Sequence, residues 1–336
     1  MHKTDMKNIL VIRFNKAGDM ICTIPLLKTL RRHFKDAAIT LFAEDASEEI
    51  SGNIPQIDGF FVYRKTDNMF RNKYVECRKL IKNYKKAHGI KKFDIAIAVK
   101  GGFSSFLSAA ACISGAGIRI GYRSPQKRLW NLCYNLPANP IDLPSVHQVE
   151  ACLNLLTAIG ISDFIRDASI SVPAAAADKA YVFLTAHKMT PKKRIAVFNI
   201  SNNRESSTWY PENFIKLGRI ISQKYGYNFI ITSIPADKGK AVRICDQLNG
   251  KGFFYDTAGL MDFAAVASVS NFLVAGDGGA VHIGAAAGAK VIALFGQTNP
   301  IIYGPYGEGH IVLKSKDGNV NSITPDDVIT ALSIHE

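Results

Sequence analysis

A glycine-rich turn between two apolar runs holds the residues whose types and spacing point most directly to chemistry. The apolar run 272–275 leads into Gly276-Asp277-Gly278-Gly279-Ala280-Val281-His282, and the next apolar run, 291–295, ends in Gly296-Gln297-Thr298-Asn299-Pro300. A strand, a glycine-rich turn and a helix that begins with small residues let backbone N–H groups approach an anion, which the helix dipole also favours. The segment therefore predicts a phosphate or nucleotide site. It has neither the G-x-G-x-x-G of dinucleotide-binding folds nor the G-x-x-x-x-G-K-[ST] of P-loops.

The turn contains one acid, Asp277, and one imidazole, His282. Two interpretations of His282 are open: a histidine packed on its helix with a local hydrogen bond, or a donor to a bound diphosphate. A metal site is not predicted, because the chain has no Asp-x-Asp motif and no cluster of His, Cys and Glu at ligand spacing. No cofactor is expected.

A second candidate is the loop that follows the first apolar run, 9–12: Arg13-Phe14-Asn15-Lys16-Ala17-Gly18-Asp19. In one interpretation, Asp19 only caps the helix that follows. In the other, the first strand of a doubly wound half lies near the centre of its sheet, so that its loop opens toward the ligand. A carboxylate in that place can take the proton of an acceptor hydroxyl group and act as a general base.

The polar loop 199–211 is a third candidate. Its hydroxyl and amide side chains and Arg204 could hold a diphosphate, with Pro211 in the first turn of the next helix. Any strand-to-helix loop is polar, so the composition alone does not decide its function.

Alternating strand-like and helix-like segments must position these loops. In the first half they are strands at 9–12, 38–43 and 93–99 and a helix at 20–34; in the second, strands at 194–198 and 229–232 and helices at 211–225 and 237–248. This alternation predicts parallel β-α-β units, and its restart after a helical stretch at 147–159 predicts an α/β chain with two Rossmann-like halves.

The boundary between the halves is expected near residues 165–180, which gives an N-terminal domain of 1–170 and a C-terminal domain of 171–336. A ligand would bind in a cleft between them, beyond the carboxyl ends of the strands. The final helix-like segment, 328–334, could pack back on the first domain.

Length and composition agree with a protein of this kind. The chain has 336 residues, of which 47% are hydrophobic and 21% charged, so two globular domains with sizeable cores are expected. Neither a secretory signal nor a membrane-spanning run is seen at its start, so a cytoplasmic protein is expected. The six cysteines form no C-x-x-C pair, which argues against a zinc site and a disulfide framework.

The net charge of +13 is concentrated in one stretch, which we call the basic segment, residues 64–100. It contains twelve Lys and Arg residues against Asp67, Glu76 and Asp94, with Phe70 and other aromatic residues within or beside it. Two interpretations are open: a solvated helix face, or a surface for an anionic membrane leaflet or a phosphorylated or carboxylated acceptor. No nucleic-acid partner is predicted, because no zinc finger, RNP or helix-turn-helix signature is found.

Motifs at both ends of the chain carry a family resemblance. The opening combines Ile9-Leu10-Val11-Ile12-Arg13 with Gly18-Asp19 and Thr23-Ile24-Pro25-Leu26-Leu27. Together with 272–286 and 293–300, it resembles the lipopolysaccharide heptosyltransferases, glycosyltransferase family 9, which have Asp-(Ser/Thr)-Gly-x-x-His and Phe-Gly-x-Thr-x-Pro in the corresponding places. Arg119-Ile120-Gly121-Tyr122 and His147-Gln148-Val149-Glu150 also fall where the family has similar residues.

The resemblance implies a GT-B architecture, with two Rossmann-like domains facing across a cleft. It also implies an inverting, metal-independent transfer of a sugar, typically heptose from ADP-heptose, to a lipopolysaccharide or lipooligosaccharide core or a related glycan. Asp19 matches the general base, and Arg119 and Arg123 are assigned to the acceptor. The donor-binding residues are expected to be Asp277 on the sugar, Gly278, Gly279, Ala280 and His282 on the diphosphate, Asp237 on the ribose, and Thr208, Arg204 and Lys16.

The chain also departs from the family pattern. The family has a phosphate-binding lysine shortly before a Trp-Pro, where this chain has Thr208 or Ser207, and a Ser or Thr where it has Gly278. We expect Lys16 or Arg204 to supply the missing charge, because a departing diphosphate needs stabilisation.

The expected partners are a nucleotide-sugar donor and an anionic glycolipid acceptor, at the inner face of the cytoplasmic membrane. Two other functions are open: a nucleotide-sugar epimerase or hydrolase of the same architecture, and a non-catalytic nucleotide-sugar-binding protein.

Overall fold

The computed structural model describes residues 6–65, 72–202 and 204–334. Asp67, Phe70 and Arg71 of the basic segment and Asn203 of the 199–211 loop lie outside the described residues. The chain divides into two compact units, Met1–Ala168 and Ser169–Glu336.

The first unit is built on a parallel sheet of five strands in the order β3-β2-β1-β4-β5. The strands are β1 (Asn8–Arg13), β2 (Ala38–Glu44), β3 (Gly59–Tyr63), β4 (Ile95–Ala98) and β5 (Ile118–Ile120). Ile9, Leu10, Val11 and Ile12 have no exposed surface. Such a continuous apolar run is typical of a parallel strand covered on both faces, and the predicted central place of the first strand is confirmed.

The described residues of this unit also form seven helices: α1 (Ala17–Ile21), α2 (Ile24–His33), α3 (Glu48–Ser51), α4 (Lys73–Ala87), α5 (Ser105–Ile113), α6 (Arg128–Asn131) and α7 (Gln148–Asn154). Three of them begin at side-chain caps: Asn72 accepts hydrogen bonds from the first N–H groups of α4, the Ser104 hydroxyl group accepts one at the start of α5, and the His147 ring accepts one at the start of α7. These bonds satisfy backbone donors that a helix start leaves without partners.

The second unit is built on a parallel sheet of six strands in the order β11-β10-β9-β6-β7-β8. The strands are β6 (Ile195–Asn199), β7 (Asn228–Thr232), β8 (Gly252–Phe254), β9 (Phe272–Gly276), β10 (Lys290–Phe295) and β11 (Ile311–Lys314). The helices are α8 (Ala174–Ala186), α9 (Pro211–Tyr225), α10 (Lys238–Asp246), α11 (Leu260–Ser268), α12 (Gly279–Ala286), α13 (Pro300–Tyr303) and α14 (Pro325–Ile334). The last helix, α14, packs against α9 of the same unit.

The order of the strands reverses once in each sheet. The first sheet grows from β1 through β2 to β3 and then continues on the other side of β1 with β4, and the second does the same at β6 and β9. Loops at such a switch point diverge and leave a crevice at the carboxyl ends of the strands, which is where ligands bind in open α/β sheets. The loops singled out from the sequence follow β1, β6, β9 and β10, so the fold brings them to these edges.

Among the described residues, no helix is long and apolar enough to cross a membrane.

Candidate functional site

Asp277 lies at the switch point of the second sheet, directly after β9. Its backbone N–H donates to the carbonyl oxygen of Leu294 in β10 at 2.9 Å, and its side chain is only 5% exposed. A buried carboxylate is costly unless a cation or several donors pair with it. The cation here is Arg204, whose Nη2 lies 2.5 Å from Oδ2 of Asp277.

Arg204 connects three loops of the second unit. Besides Asp277 after β9, its guanidinium contacts Thr298 after β10, with 3.3 Å between Nη1 and Oγ1. Its own carbonyl oxygen accepts a hydrogen bond from the Thr208 hydroxyl group at 3.0 Å. The Arg204 side chain is half exposed, so one side of the guanidinium is available to a ligand while the other holds the carboxylate.

The side chain of Asn202 also links these loops. Its Nδ2 donates to the backbone oxygen of Asp277 at 2.5 Å, and its Oδ1 accepts from the backbone N–H of Arg204 at 3.2 Å. From the sequence, Asn202 is one of the amide side chains of the 199–211 loop that could hold a diphosphate, and its contact with Asp277 is not predicted. The available signal was its position shortly after β6, since β6 and β9 are neighbours in the sheet.

Two glycines allow the loops to approach this closely. A Cβ atom on Gly276 would lie 2.0 Å from the carbonyl oxygen of Ser207, and one on Gly296 would lie 2.7 Å from that of Gly318. The backbone of the β6 loop therefore rests directly on the end of β9.

Helix α12 begins beside Asp277 with open backbone donors. Gly278 occupies the N-cap position, and no side chain caps the helix. Gly279 is exposed and Ala280 half-buried, while His282 in the first turn is buried. Uncapped N–H groups and the positive end of the helix dipole form a binding place for an anion such as a phosphate.

Asp237 borders this group of loops at the start of α10. Its Oδ2 accepts from the Ser201 hydroxyl group and its Oδ1 from the Lys240 ammonium group, both at 2.8 Å. The hydrogen bond from Lys240, with a smaller contribution from Ser201, holds the pKa of Asp237 below its ordinary value. The carboxylate is therefore ionised at neutral pH and is tied to the β6 loop through Ser201.

Asp19 lies at the switch point of the first sheet, in the first turn of α1. Lys16 occupies the N-cap position of that helix, so Asp19 is not the capping residue. Its Oδ1 lies 2.6 Å from Nη2 of Arg13, and its side chain is 27% exposed. Arg13 is almost fully buried and donates from Nη1 to the backbone oxygen of Val99 at 2.9 Å. The buried Arg13 thus orients the carboxylate of Asp19, which remains partly accessible to solvent.

Arg13 is a residue to which we assigned no role from the sequence. A buried arginine directly after a fully buried apolar run, here residues 9–12, is unusual, because Arg is almost never buried unless it is paired. That position was the signal that it has a partner in the adjacent loop.

A cavity of about 240 Å³ opens beside the Asp19 loop within the first unit. Its lining includes three lysines, Lys65, Lys73 and Lys100, together with Glu44 and the rings of Phe14 and Phe106. Burial raises the pKa of Glu44, although nearby Lys65 opposes the change. Three cations over an aromatic floor can bind an anionic group attached to an apolar or ring-shaped molecule.

A family model for "Glycosyltransferase family 9 (heptosyltransferase)" matches residues 81–327 of the chain. The chain belongs to glycosyltransferase family 9. The family resemblance of the sequence motifs is therefore confirmed.

The relatives are distant but cover nearly the whole chain. Lipopolysaccharide heptosyltransferase 3 of Escherichia coli (strain K12) is 25% identical over 305 residues, which are 88% of this chain and 84% of that protein. A family 9 glycosyl transferase from Veillonella parvula DSM 2008 has a TM-score of 0.85 at 23% identity and covers 99% of this chain and 98% of its own. E. coli heptosyltransferase WaaC, solved with ADP-2-deoxy-2-fluoro heptose, has a TM-score of 0.78 at 18% identity, with 98% of this chain and all of that one covered. The fold of the family 9 chain is GT-B-like, with two parallel α/β sheets.

Three predicted site residues of the family 9 chain lie outside these groups of contacts. Lys16 is exposed at the start of α1. Arg119 uses its guanidinium on backbone carbonyl oxygens, those of Cys133 at 2.7 Å and Ala116 at 2.8 Å. Arg123 is exposed and donates to the carbonyl oxygen of Tyr134 at 3.0 Å. Arg119 therefore contributes to the structure around β5, and neither arginine is among the residues that line the lysine cavity.

Within the part of the chain that the structure describes, no three His, Cys, Asp or Glu side chains come together as a metal site would require.

Proposed function

We propose that this family 9 glycosyltransferase transfers heptose from ADP-heptose, with inversion, to a hydroxyl group of an anionic lipopolysaccharide or lipooligosaccharide core or a related glycan. The observation that carries the proposal is the buried Asp277 paired with Arg204 at 2.5 Å beside the uncapped start of α12. This arrangement offers a carboxylate for sugar hydroxyl groups next to donors for a diphosphate. The heptose derivative of ADP bound by WaaC supports the choice of donor.

The second unit is proposed to bind the donor. The N–H groups from Gly278 to Ala280 bind the diphosphate, with His282 as a further donor from the first turn of α12. Asp277 accepts hydrogen bonds from the sugar, and the exposed side of Arg204 supplies the cation that the family's lysine supplies elsewhere. Asp237, held by Ser201 and Lys240, is directed to the ribose hydroxyl groups.

The proposed reaction is a single displacement. Asp19 accepts the proton of the acceptor hydroxyl group while the oxygen attacks the anomeric carbon and the bond from that carbon to the diphosphate oxygen breaks. The electron pair of that bond leaves on ADP, where Arg204 and the α12 N–H groups stabilise the negative charge. Arg13, by holding one carboxylate oxygen of Asp19 at 2.6 Å, directs the other toward the acceptor.

The first unit is proposed to bind the acceptor. Asn15 lies just before helix α1, which contains Asp19, and lines the cavity that contains Lys65, Lys73 and Lys100. A phosphate or carboxylate group of the acceptor would bind these lysines, and a neighbouring sugar ring would contact Phe14 or Phe106. The lysine cavity replaces Arg119 and Arg123 as our main acceptor assignment.

Replacement of the general base tests the reaction. Asp19→Asn keeps the size of the side chain and removes its ability to accept a proton, so we expect transfer to fall by about 10²- to 10⁴-fold. Binding of ADP-heptose, measured by calorimetry, should stay within about twofold of wild type, because Asp19 is not assigned to the donor. Asp36→Asn, an exposed acid after α2, is the matched control and should transfer at the wild-type rate.

Transfer near the wild-type rate by Asp19→Asn would contradict the assignment. NMR of the chain with ADP-heptose alone distinguishes the other functions: conversion or hydrolysis of the donor without any acceptor would indicate an epimerase or hydrolase. Tight binding with no turnover in the presence of acceptor would indicate a binding protein.

A further inference from the structure

Two leucines of the first unit are the most exposed large apolar side chains among the described residues. Leu129 is 82% and Leu132 75% exposed, on and directly after the short helix α6. Val75, near the start of α4, is 64% exposed. Single exposed apolar residues are common, whereas a group of them on one surface marks an interaction site.

Aromatic packing places the start of α4 beside helix α6. The rings of Tyr74 in α4 and Trp130 in α6 stack with their centroids 5.9 Å apart. Tyr74 precedes Val75 in sequence, and Trp130 follows Leu129. The start of α4 and helix α6 are therefore neighbours, and we call the surface that they form the docking surface, defined by Val75, Leu129, Trp130 and Leu132.

The charge around the docking surface has one dominant sign. Helix α4 carries six basic residues and one acid, Glu76. Val75 shares a helix face with Arg78, Lys79 and Lys82, because residues three, four and seven positions apart lie on one side of a helix, and these three cations are exposed. Residues 121–138 add Arg123, Lys127 and Arg128 and contain no acid. The exposed apolar side chains thus lie on segments of the chain that carry an excess of cations.

We propose that the docking surface inserts into a lipid bilayer that contains anionic lipids. Leu129, Leu132 and Val75 enter the boundary between headgroups and acyl chains, the Trp130 ring lies at headgroup level, and the surrounding Lys and Arg side chains bind lipid phosphates. This inference goes beyond the transfer reaction and does not depend on it. The basic segment by itself is equally compatible with a solvated helix face. The exposed apolar side chains add a feature that a solvated face does not need.

The combination of features favours a bilayer over other partners. A nucleic acid would bind the cations and leave the two leucines in water. A second copy of this chain would place the same excess of positive charge on both sides of a symmetric contact, where like charges repel. An anionic bilayer satisfies both the apolar side chains and the cations.

Sedimentation with vesicles tests the proposal. We expect the full chain to bind vesicles of phosphatidylcholine and phosphatidylglycerol, to bind pure phosphatidylcholine much more weakly, and to lose affinity as salt is raised. The double variant Leu129→Asp with Leu132→Asp should bind at least about tenfold more weakly, because each buried leucine contributes about a tenfold factor or more. Val182→Asp is the matched control, because Val182 is 66% exposed but lies on α8 of the second unit. This variant should bind the vesicles as wild type does.

The folded state of each variant is checked by its melting temperature, which should not change, since both leucines are exposed. Wild-type binding by the double variant, or an equal loss in Val182→Asp, would overturn the proposal. So would concentration-dependent dimerisation that the double variant abolishes without any change in vesicle binding. Transfer to a water-soluble acceptor fragment should be equal in wild type and the double variant. If neither wild type nor the double variant transferred heptose to the fragment, the proposed function would be contradicted. The result of the vesicle experiment would still stand.

Discussion

The side chain of Asn202 occupies space that the family's hydroxyl residue would otherwise need. A Cβ atom on Gly278 would lie 3.1 Å from Nδ2 of Asn202, a distance at which the amide would have to shift. That same Nδ2 holds the backbone oxygen of Asp277. The absence of a Ser or Thr at residue 278 therefore coincides with an amide that supports Asp277 from the neighbouring loop.

Arg204 is the residue whose replacement most directly tests the donor half. Arg204→Ala removes a cation from the proposed diphosphate site and leaves the buried carboxylate of Asp277 unpaired, so we expect ADP affinity to fall by roughly 10- to 100-fold. Arg204→Lys should recover part of this loss, because it restores the charge but not the planar fork. Affinities are measured by calorimetry with ADP.

Lys16→Ala separates the two cations that we considered as replacements for the family's lysine. Lys16 is exposed and lies in the first unit, so ADP binding should be within about twofold of wild type if Arg204 alone supplies the charge. A larger loss in Lys16→Ala than in Arg204→Ala would reverse the assignment. Our proposal of Arg204 rests on its pairing with Asp277. The sequence alone could not predict that pairing, because the two residues are 73 positions apart.

At the level of elements, the strands that the sequence pattern missed share a position in the fold. Long apolar runs predicted the inner strands, and the predicted helix 211–225 coincides with α9. The four strands that we did not predict, β3, β5, β8 and β11, are the four edge strands of the two sheets. Edge strands are partly covered, and β5 and β8 have only three residues each. They therefore lack the continuous apolar run by which a buried strand is recognised.

The edge strand β11 is held to β10 in part by a histidine that responds to pH. The backbone N–H of Val291 donates to Nδ1 of His310 at 3.2 Å, and burial lowers the pKa of His310 despite an opposing hydrogen bond with the backbone of Tyr306. The folded state thus favours the neutral imidazole. Because the unfolded chain takes up this proton first, the free energy of unfolding should be highest above about pH 6.5 and fall as the pH drops through the range below it.

Chemical denaturation between pH 7.5 and about 5 measures this effect, which cannot exceed the one-proton limit of about 1.4 kcal/mol per pH unit. His310→Asn keeps an acceptor near Val291 and removes the titration, so its unfolding free energy should change less across the same range. Asp237 does not contribute to the pH dependence in this range. Because its pKa is lowered in the folded state, the stability that its ionised carboxylate adds is lost only below about pH 4. An equal pH dependence in His310→Asn and wild type would show that another group is responsible.

For the whole molecule, the division into two units gives each half of the reaction its own folded scaffold. The residues proposed for the donor come from the second unit, and those proposed for the acceptor come from the first. A ligand that binds one unit in its folded state stabilises that unit by mass action. The donor should therefore raise the melting temperature of the second unit, and this can be observed separately because the chain has only two tryptophans.

Trp130→Phe leaves Trp209 as the sole tryptophan, and Trp209 is buried in the second unit, next to Thr208. At about 100 times its dissociation constant, ADP should stabilise this unit by about 2.7 kcal/mol and raise the Trp209 melting transition by roughly 5 to 10 °C. Adding Asp19→Asn should leave the shift intact, because Asp19 lies in the first unit, whereas adding Arg204→Ala should reduce it.

A larger shift with UDP or GDP than with ADP would reject adenine as the donor base while keeping the diphosphate site. The same shift in the Arg204→Ala background would instead place the diphosphate away from Asp277, because no ligand bound between Arg204 and α12 could keep its affinity without that cation.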